Sequence, residues 1–245
     1  IDHILVVEPI IEREHRHAMD YLAEFFARHG AHAMRWAVGA HEFRKARLDR
    51  RIATAQQVVI RVGNDRAVLA VIMAVMGGDL DGKAGSSLVL HHLDGIAAER
   101  VLLVGLGKAD GFDTVAYRKA ATTTAKALKS LAAADALNTL SQLDVKGHNA
   151  HWKVQQAVLA IEDAFYRFDD CRGKDARAKL PMPKLKHCDF HVAAKSDTKS
   201  AEAGLREALA IAKGVRLTKN LANLPGNLCT PTYLAKQAKQ LADAY

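Results

Sequence analysis

Short apolar runs of strand length alternate with longer stretches of helical periodicity through most of this chain, and that alternation limits the folds open to it. Residues 87–91 (SLVLH) and 100–104 (RVLLV) have the length and apolar character of strands. Residues 114–131 place apolar side chains such as Val115 at helical spacing, and Asp113 stands where an N-cap is expected. Strands that alternate with helices predict an α/β fold in which helices cover the sheet.

The alternation continues towards the end of the sequence. We expect a strand over 137–143, an amphipathic helix over 149–168, a further strand over 189–193 and a long helix over 199–221. Another helix is expected after Pro231, because proline is favoured in the first turn of a helix.

The first 76 residues follow a less regular pattern. Residues 4–7 and 58–62 are strand candidates, and residues 10–29 predict an amphipathic helix that ends before Gly30. Arginine and histidine are frequent in this segment. The character of the sequence changes near Gly78, which predicts a boundary there.

Composition fits a globular protein and does not specify a partner. The 245 residues are 49% hydrophobic and 25% charged, and the formal net charge is +8. A charge of that size serves solubility and is also compatible with a polyanionic partner. The longest apolar run, residues 67–76, is much shorter than the about 20 residues of a membrane helix. The first residues lack the pattern of a secretory signal, so we expect neither a membrane nor a secreted protein.

The three cysteines, Cys171, Cys188 and Cys229, are odd in number and widely spaced. This usage predicts free thiols in a reducing compartment rather than a disulfide framework.

A glycine-rich segment at 105–111 (GLGKADG) superficially resembles a dinucleotide-binding loop. The dinucleotide pattern is G-x-G-x-x-G, whereas the third glycine here stands one place late, and the phosphate-binding pattern G-x-x-x-x-G-K-[ST] is also absent from the segment. We therefore interpret it as a tight turn that leaves a buried strand.

Histidine pairs raise the alternative of a metal site, and they occur at positions 15 and 17, 148 and 151, and 187 and 191. The first pair would point to different sides of a helix, whereas the other two pairs could each share a face. A metal ion normally needs three or four ligands at suitable spacing, and no such set is evident. The sequence also lacks H-E-x-x-H and G-x-S-x-G. We assign no metal or catalytic residue.

A basic stretch between Arg44 and Arg66 is the segment best suited to contact phosphates. If it is helical, Arg44, Arg47 and Arg51 lie on one side. No aromatic residue interleaves with it from position 44 onward, as a binder of single strands would require. A solvated face is the favoured interpretation, and nucleic-acid contacts remain unassigned.

Residues 78–245 contain an ordered set of motifs that resembles the leucyl aminopeptidases of the cytosol aminopeptidase family of metallopeptidases. The motifs are GDLDGK at 78–83, LVLHH at 88–92, RVLLVGLGK at 100–108, WKVQQAV at 152–158, LAIAKG at 209–214 and NLANLPGNLCTPTYLA at 220–235. The last is the most specific.

The resemblance implies a fold and an activity for the longer family members. It implies an N-terminal three-layer macro-like α/β sandwich, with a mixed and mostly parallel sheet, followed by a helical linker. It also implies a cytoplasmic homohexamer that removes N-terminal residues, preferentially leucine, from peptides with two manganese or zinc ions. Some bacterial members of the family also bind DNA.

The departures from the family pattern are as informative as the match. The family's metal-binding and catalytic residues lie in motifs that resemble V-G-K-G-x-T-F-D-S-G-G and N-T-D-A-E-G-R, and neither motif occurs in the 245 residues. A chain without those ligands has no means of activating water by a metal. Residues 1–76 do not align with the family, and a frameshifted or mis-started reading frame is one explanation for them.

These observations predict an α/β chain in three parts. Residues 1–76 are an unaligned N-terminal segment, for which an aberrant reading frame is one hypothesis. Residues 77–198 form the macro-like N-terminal aminopeptidase domain, and residues 199–245 form the linker helix and the truncated start of the peptidase domain. We expect the chain to be a fragment of a leucyl aminopeptidase that binds no metal and is itself non-catalytic. The alternative hypothesis is a DNA-binding or regulatory module.

Overall fold

The computed structural model describes residues 3–7, 82–92, 98–107, 112–173, 175, 177, 179, 182–192 and 194–244. In these residues five strands form one sheet, and we label them β1 to β5 in chain order. They are β1 (His3–Val7), β2 (Ser87–His91), β3 (Arg100–Val104), β4 (Asp135–Asn138) and β5 (His187–Phe190). The predicted α/β class is therefore confirmed.

The sheet has the strand order β2-β3-β1-β4-β5. β1 lies at the centre and pairs in parallel with β3 and β4, and β4 pairs in parallel with β5. β2 is antiparallel to β3, with Ser87 opposite Val104 and His91 opposite Arg100. The carboxyl ends of four strands and the beginning of β2 consequently meet at one edge of the sheet.

Four α-helices complete the described fold. They are α1 (Thr114–Ser130), α2 (Ala150–Phe165), α3 (Thr198–Asn223) and α4 (Pro231–Ala244). Asp113 caps α1 as predicted, because its carboxylate accepts hydrogen bonds from the backbone N–H groups of Val115 and Ala116, both at 2.9 Å. Asn149 caps α2 in the same way, accepting from Trp152 N at 3.2 Å.

The core lies between one face of the sheet and helices α1 and α2. Leu102 and Val104 of β3 and Ala136 of β4 pack there against Tyr117 and Leu128 of α1. Residues of α2 close this cluster from the side, including Trp152 and Phe165. On the opposite face of the sheet Val101 and Leu103 are also fully buried. The helix α3 packs mainly on α2, and Phe190 at the end of β5 packs against the same apolar cluster.

Three sequence predictions are wrong in detail. The strand predicted over 137–143 ends at Asn138, because the Asn138 side chain accepts a hydrogen bond from Leu140 N at 2.9 Å and the chain turns into a 3-10 helix over Leu140–Gln142. The strand predicted over 189–193 lies at His187–Phe190, since its partner β4 offers no residue beyond Asn138. Val115, predicted on the apolar face of its helix, is 69% exposed.

The other element predictions that fall on described residues are confirmed within a few residues at their ends. The strand predicted over 4–7 corresponds to β1. The helix over 10–29, the strand over 58–62 and the basic stretch between Arg44 and Arg66 lie outside the described residues. No helix in the described part of the chain is long and apolar enough to cross a membrane.

Candidate functional site

The carboxyl edge of the parallel strands is the first place to look for a ligand, because open α/β sheets bind ligands there. The loop after β3 and the loop before β2 lie side by side at this edge. Gly85 N donates to Gly105 O at 3.1 Å, Gly105 N donates to Ser86 O at 2.8 Å, and Gly107 N donates to Gly82 O at 3.0 Å. The two loops are thus joined by backbone hydrogen bonds.

These hydrogen bonds show whether the glycine-rich segment has a phosphate-binding or a structural role. A phosphate-binding loop directs its backbone N–H groups at the ligand, whereas the N–H groups of Gly105 and Gly107 donate to protein carbonyls. A Cβ atom at Gly105 would collide with the side chain of Ser86 and the backbone of Lys83. Glycine is therefore required at position 105 for the close approach of the two loops. Residues 105–107 leave the buried strand β3 without forming a turn of their own, and residues 108–111, the rest of the predicted tight turn, lie outside the described residues.

The loops after β4 and β5 are joined in a similar way. His191 N donates to Asn138 O at 2.9 Å, and the Ser141 hydroxyl donates to His191 O. Asn138 and Ser141 are buried. Their side chains form hydrogen bonds with the protein's own backbone, so at this end of the edge as well the polar groups stabilise the fold.

The described residues hold no group of three or more His, Cys, Asp or Glu side chains that could bind a metal ion. His148 and His151, whose spacing allows them to share a helix face, make separate contacts: the His148 ring stacks on Trp152 with centroids 3.9 Å apart, while His151 Nε2 lies 2.7 Å from Glu207 Oε2. His187 is the first residue of the edge strand β5, and His191 follows its last residue. His15 and His17 lie outside the described residues.

The three cysteines are free thiols, as predicted. Cys188 lies on β5, and burial, assisted by the neighbouring charge of Asp189, raises its pKa to about 12. A thiol that stays protonated at neutral pH is a poor nucleophile and a poor metal ligand. Cys188 is therefore a packing residue of the core.

The contact between α2 and α3, which we call the helix seam, is the most extensive contact between two elements in the described part of the chain. Ala201 and Ala208 of α3 pack against Val154 and Val158 of α2. Gly204 lies so close to α2 that a Cβ atom on it would collide with the backbone carbonyl of His151. Small residues on α3 thus allow the two helix backbones to approach closely.

Polar contacts flank the helix seam along its length, and they fix how α3 lies on α2. Ion pairs join Arg216 to Glu162, Lys219 to Asp163 and His151 to Glu207. Beyond the last turn of α2, the Tyr166 hydroxyl lies 3.1 Å from Asn220 Oδ1 and 3.0 Å from Asn223 Nδ2. Exposed ion pairs contribute at most about 1 kcal/mol each, so the apolar contacts carry most of the stability and the polar contacts set the register.

No catalytic or binding motif in the sequence indicates the helix seam, because none of its residues has a reactive role. The one signal in the sequence was small residues at helical spacing on α3, at positions 201, 204, 208 and 212. The helix leaves the seam at Asn223 and leads through a turn, in which Pro225 O accepts from Leu228 N and Cys229 N, to α4. No residue of α4 is buried.

Comparison with known sequences gives consistent similarities. The model of the cytosol aminopeptidase family, N-terminal domain, matches residues 54–175. The probable cytosol aminopeptidase of Methylobacillus flagellatus is 46% identical over 168 residues, which are 69% of this chain and 33% of that protein. The probable cytosol aminopeptidase of Chromobacterium violaceum is 38% identical over 208 residues, which are 85% of this chain and 37% of that protein. The chain spans about a third of the length of the curated relatives it matches.

Solved structures share the fold. A mutant of tomato leucine aminopeptidase superposes with a TM-score of 0.56 at 24% identity, over 72% of this chain and 33% of that one. The bottromycin maturation enzyme BotP in complex with Mn superposes with a TM-score of 0.54 at 22% identity, over 69% of this chain and 32% of that one.

Proposed function

Because this chain belongs to the cytosol aminopeptidase family, whose N-terminal domain it carries, we propose that it is the non-catalytic N-terminal part of a cytoplasmic leucyl aminopeptidase. In this proposal the longer protein removes N-terminal residues, preferentially leucine, from peptides. The helix seam is the observation that carries the proposal, since it fixes the direction in which α3 leads away from the N-terminal domain.

Two divalent ions, manganese or zinc, belong to the activity proposed for the longer protein, and the residues that the structure describes do not fit such a centre. The described residues contain no suitable group of ligands, and the two sequence motifs expected to supply the family's ligands are absent from all 245 residues. A dinuclear centre needs several carboxylate or imidazole ligands in one place. Metal binding is therefore assigned to the part of the longer protein that follows this chain.

The proposed fold of the N-terminal domain is a three-layer macro-like sandwich. Helices α1 and α2 supply the layer on one face of the sheet. The complete burial of Val101 and Leu103 on the opposite face supports a third layer there. A homohexamer is the assembly proposed for the longer protein.

The alternative function, a DNA-binding module, is supported by the net charge of +8 and by no described site. Its best segment, between Arg44 and Arg66, lies outside the described residues. A salt titration tests it, because each phosphate contact contributes a slope of about −0.9 to the dependence of log affinity on log salt concentration.

A chimera tests the main proposal. Residues 1–224 of this chain would replace the corresponding part of the Chromobacterium violaceum relative, and release of p-nitroaniline from leucine p-nitroanilide would be measured with manganese. We expect activity from the chimera and none from this chain alone. The same chimera with Gly204→Ala should lose activity, whereas the chimera with Gly214→Ala should keep it, because Gly214 lies on the exposed side of α3.

Two results would contradict the proposal in different ways. Turnover by the purified chain alone would show that it is catalytic. A folded chimera whose activity is unaffected by Gly204→Ala would show that the helix seam does not position the peptidase part.

A further inference from the structure

A groove of about 760 Å³ runs along the outer side of α1, between this helix and the loop that precedes β2. Lys119 and Lys126 line it from the helix, and Gly85 and Ser87 line it from the loop and the strand. The groove is separate from the helix seam. It shares Gly85 with the loop contacts at the carboxyl edge, but the backbone hydrogen bonds there do not involve the two lysines.

The charge of the groove is of one sign. None of the described residues that line it is acidic. Lys119 and Lys126 are seven residues apart, which places them on one side of the helix and about 10 Å apart along its axis. Both ammonium groups lack an ion-pair or hydrogen-bond partner within the described part of the chain. The other basic residues of α1 have partners, since Arg118 donates to Gln156 and Lys129 donates to Ala164 O.

The loop holds Lys119 at one end of the groove. Gly85 has a φ of +94°, and a Cβ atom built on it would lie 2.8 Å from Lys119 Cε and 3.6 Å from Lys119 Nζ. The stem of the lysine therefore crosses the glycine, and the loop limits where its ammonium group can lie. Lys126 lies about two turns further along α1, and the lining of the groove continues past it to Ser130.

The hydroxyl groups on the helix side of the groove cannot replace the lysines as donors. Thr122 donates to Arg118 O at 2.8 Å and Thr123 donates to Lys119 O at 2.9 Å, both within the helix itself. The ammonium groups are consequently the donors that the helix offers to a ligand. Two positive charges with no carboxylate between them among the described lining residues favour a ligand that carries several negative charges.

We propose that this groove binds a short chain of phosphate groups, with its two ends at Lys119 and Lys126. Lysine binds phosphate as a point charge and needs no planar match. No aromatic side chain lines the described groove, so nothing there would stack on a base. The ligand class is therefore defined by the phosphate chain, either free or as part of a nucleoside triphosphate.

Titration calorimetry of the full chain with inorganic tripolyphosphate tests the proposal. We expect binding that weakens as salt is added, and a loss of about tenfold in affinity for each lysine replaced by glutamine, since a charge-assisted hydrogen bond is worth roughly that factor. Lys126→Arg should bind within about threefold of the original chain, because it keeps the charge. Lys213→Gln, on the exposed side of α3, is the matched control and should bind unchanged.

The sources of the phosphate chain are distinguished by a parallel titration with ATP. Equal affinity for ATP and tripolyphosphate would support recognition of the chain alone, and tighter binding of ATP would support a nucleotide. Three outcomes would overturn the proposal: no binding of either probe, equal binding by the Lys119→Gln/Lys126→Gln variant, or an equal loss in Lys213→Gln. Binding of duplex DNA that tripolyphosphate does not displace would also overturn it in favour of a nucleic acid.

Discussion

Tyr117 is the largest side chain that the described core encloses completely, and it combines apolar packing with one polar contact. Its ring lies 5.3 Å from that of Trp152 and meets Phe112 edge-on at 6.4 Å. Its hydroxyl donates to Lys153 O at 2.8 Å, which ties α1 to α2. Burial raises the pKa of the phenol well above its ordinary value of 10.

The raised pKa predicts that the protein loses stability in alkali. Because the folded phenol keeps its proton at a pH where the unfolded phenol has lost it, its contribution is complete below pH 10 and declines as the pH rises further. Tyr117→Phe should cost about 1 kcal/mol at pH 7 through the lost hydrogen bond. The same variant should show a smaller decline above pH 10 in urea unfolding.

Two comparisons make this prediction specific. Tyr233→Phe, on α4, should keep the alkaline decline of the original chain, because Tyr117 is intact. A decline should also persist in Tyr117→Phe, since the pKa of Cys188 is raised to about 12 by burial and by Asp189. If the alkaline decline in the free energy of unfolding were the same in Tyr117→Phe as in the original chain, the whole decline would come from other groups.

At the level of elements, the contact between α2 and α3 depends on the absence of a side chain at one position. An alanine is favoured over glycine in a helix by about 1 kcal/mol, so propensity alone predicts that Gly→Ala substitutions stabilise α3. Gly204→Ala should instead lower the free energy of unfolding by about 1–3 kcal/mol, because its Cβ would meet the backbone carbonyl of His151.

Gly214 provides the matched control on the same helix. A Cβ atom there meets nothing within 4 Å, so Gly214→Ala should raise the free energy of unfolding by up to about 1 kcal/mol. Chemical denaturation of both variants measures the difference. Equal effects of the same sign would mean that the two helices are not in close contact at Gly204.

Element ends were predictable where a side chain marks them and unpredictable where a neighbour sets them. Asp113 and Asn149 mark the starts of α1 and α2, and both starts were predicted correctly. The apolar run after Asn138 resembles a longer strand, yet the side chain of Asn138 takes the chain into a turn. The position of β5 follows from the end of β4, which is a property of the pairing.

The same distinction applies to the candidate site. That the glycines at 105 and 107 do not form a phosphate-binding loop could be predicted, because their spacing fits neither phosphate-binding pattern. The helix seam could not, because it joins His151 to Gly204, which are distant in the sequence. Exposure of Val115 and burial of Tyr117 likewise depend on where α2 lies.

In the whole molecule, α4 contributes little to the stability of the rest, because none of its residues is buried. Leu234 and Leu241 of this helix are 44% and 48% exposed, and Leu228 before it is 50% exposed. Removing residues 225–245 should therefore leave the melting temperature within about 2 °C, while the fluorescence of a dye that binds apolar surface should fall.

A longer deletion is the control for that experiment. Removing residues 199–245 takes away α3 as well and uncovers Val154 and Val158, so the melting temperature should fall by considerably more. A similar fall in both deletions would show that α4 packs on the rest of the protein.

The central position of β1 has a consequence for biosynthesis. This strand is made first, yet its neighbours β3 and β4 begin at Arg100 and Asp135. At about 5–20 residues per second, ribosomes need on the order of ten seconds to add the intervening residues. During that time both edges of β1 await their native neighbours, which exposes it to pairing with other nascent chains. The strand at the centre of the sheet gains its second neighbour only after residues 135–138 have been made.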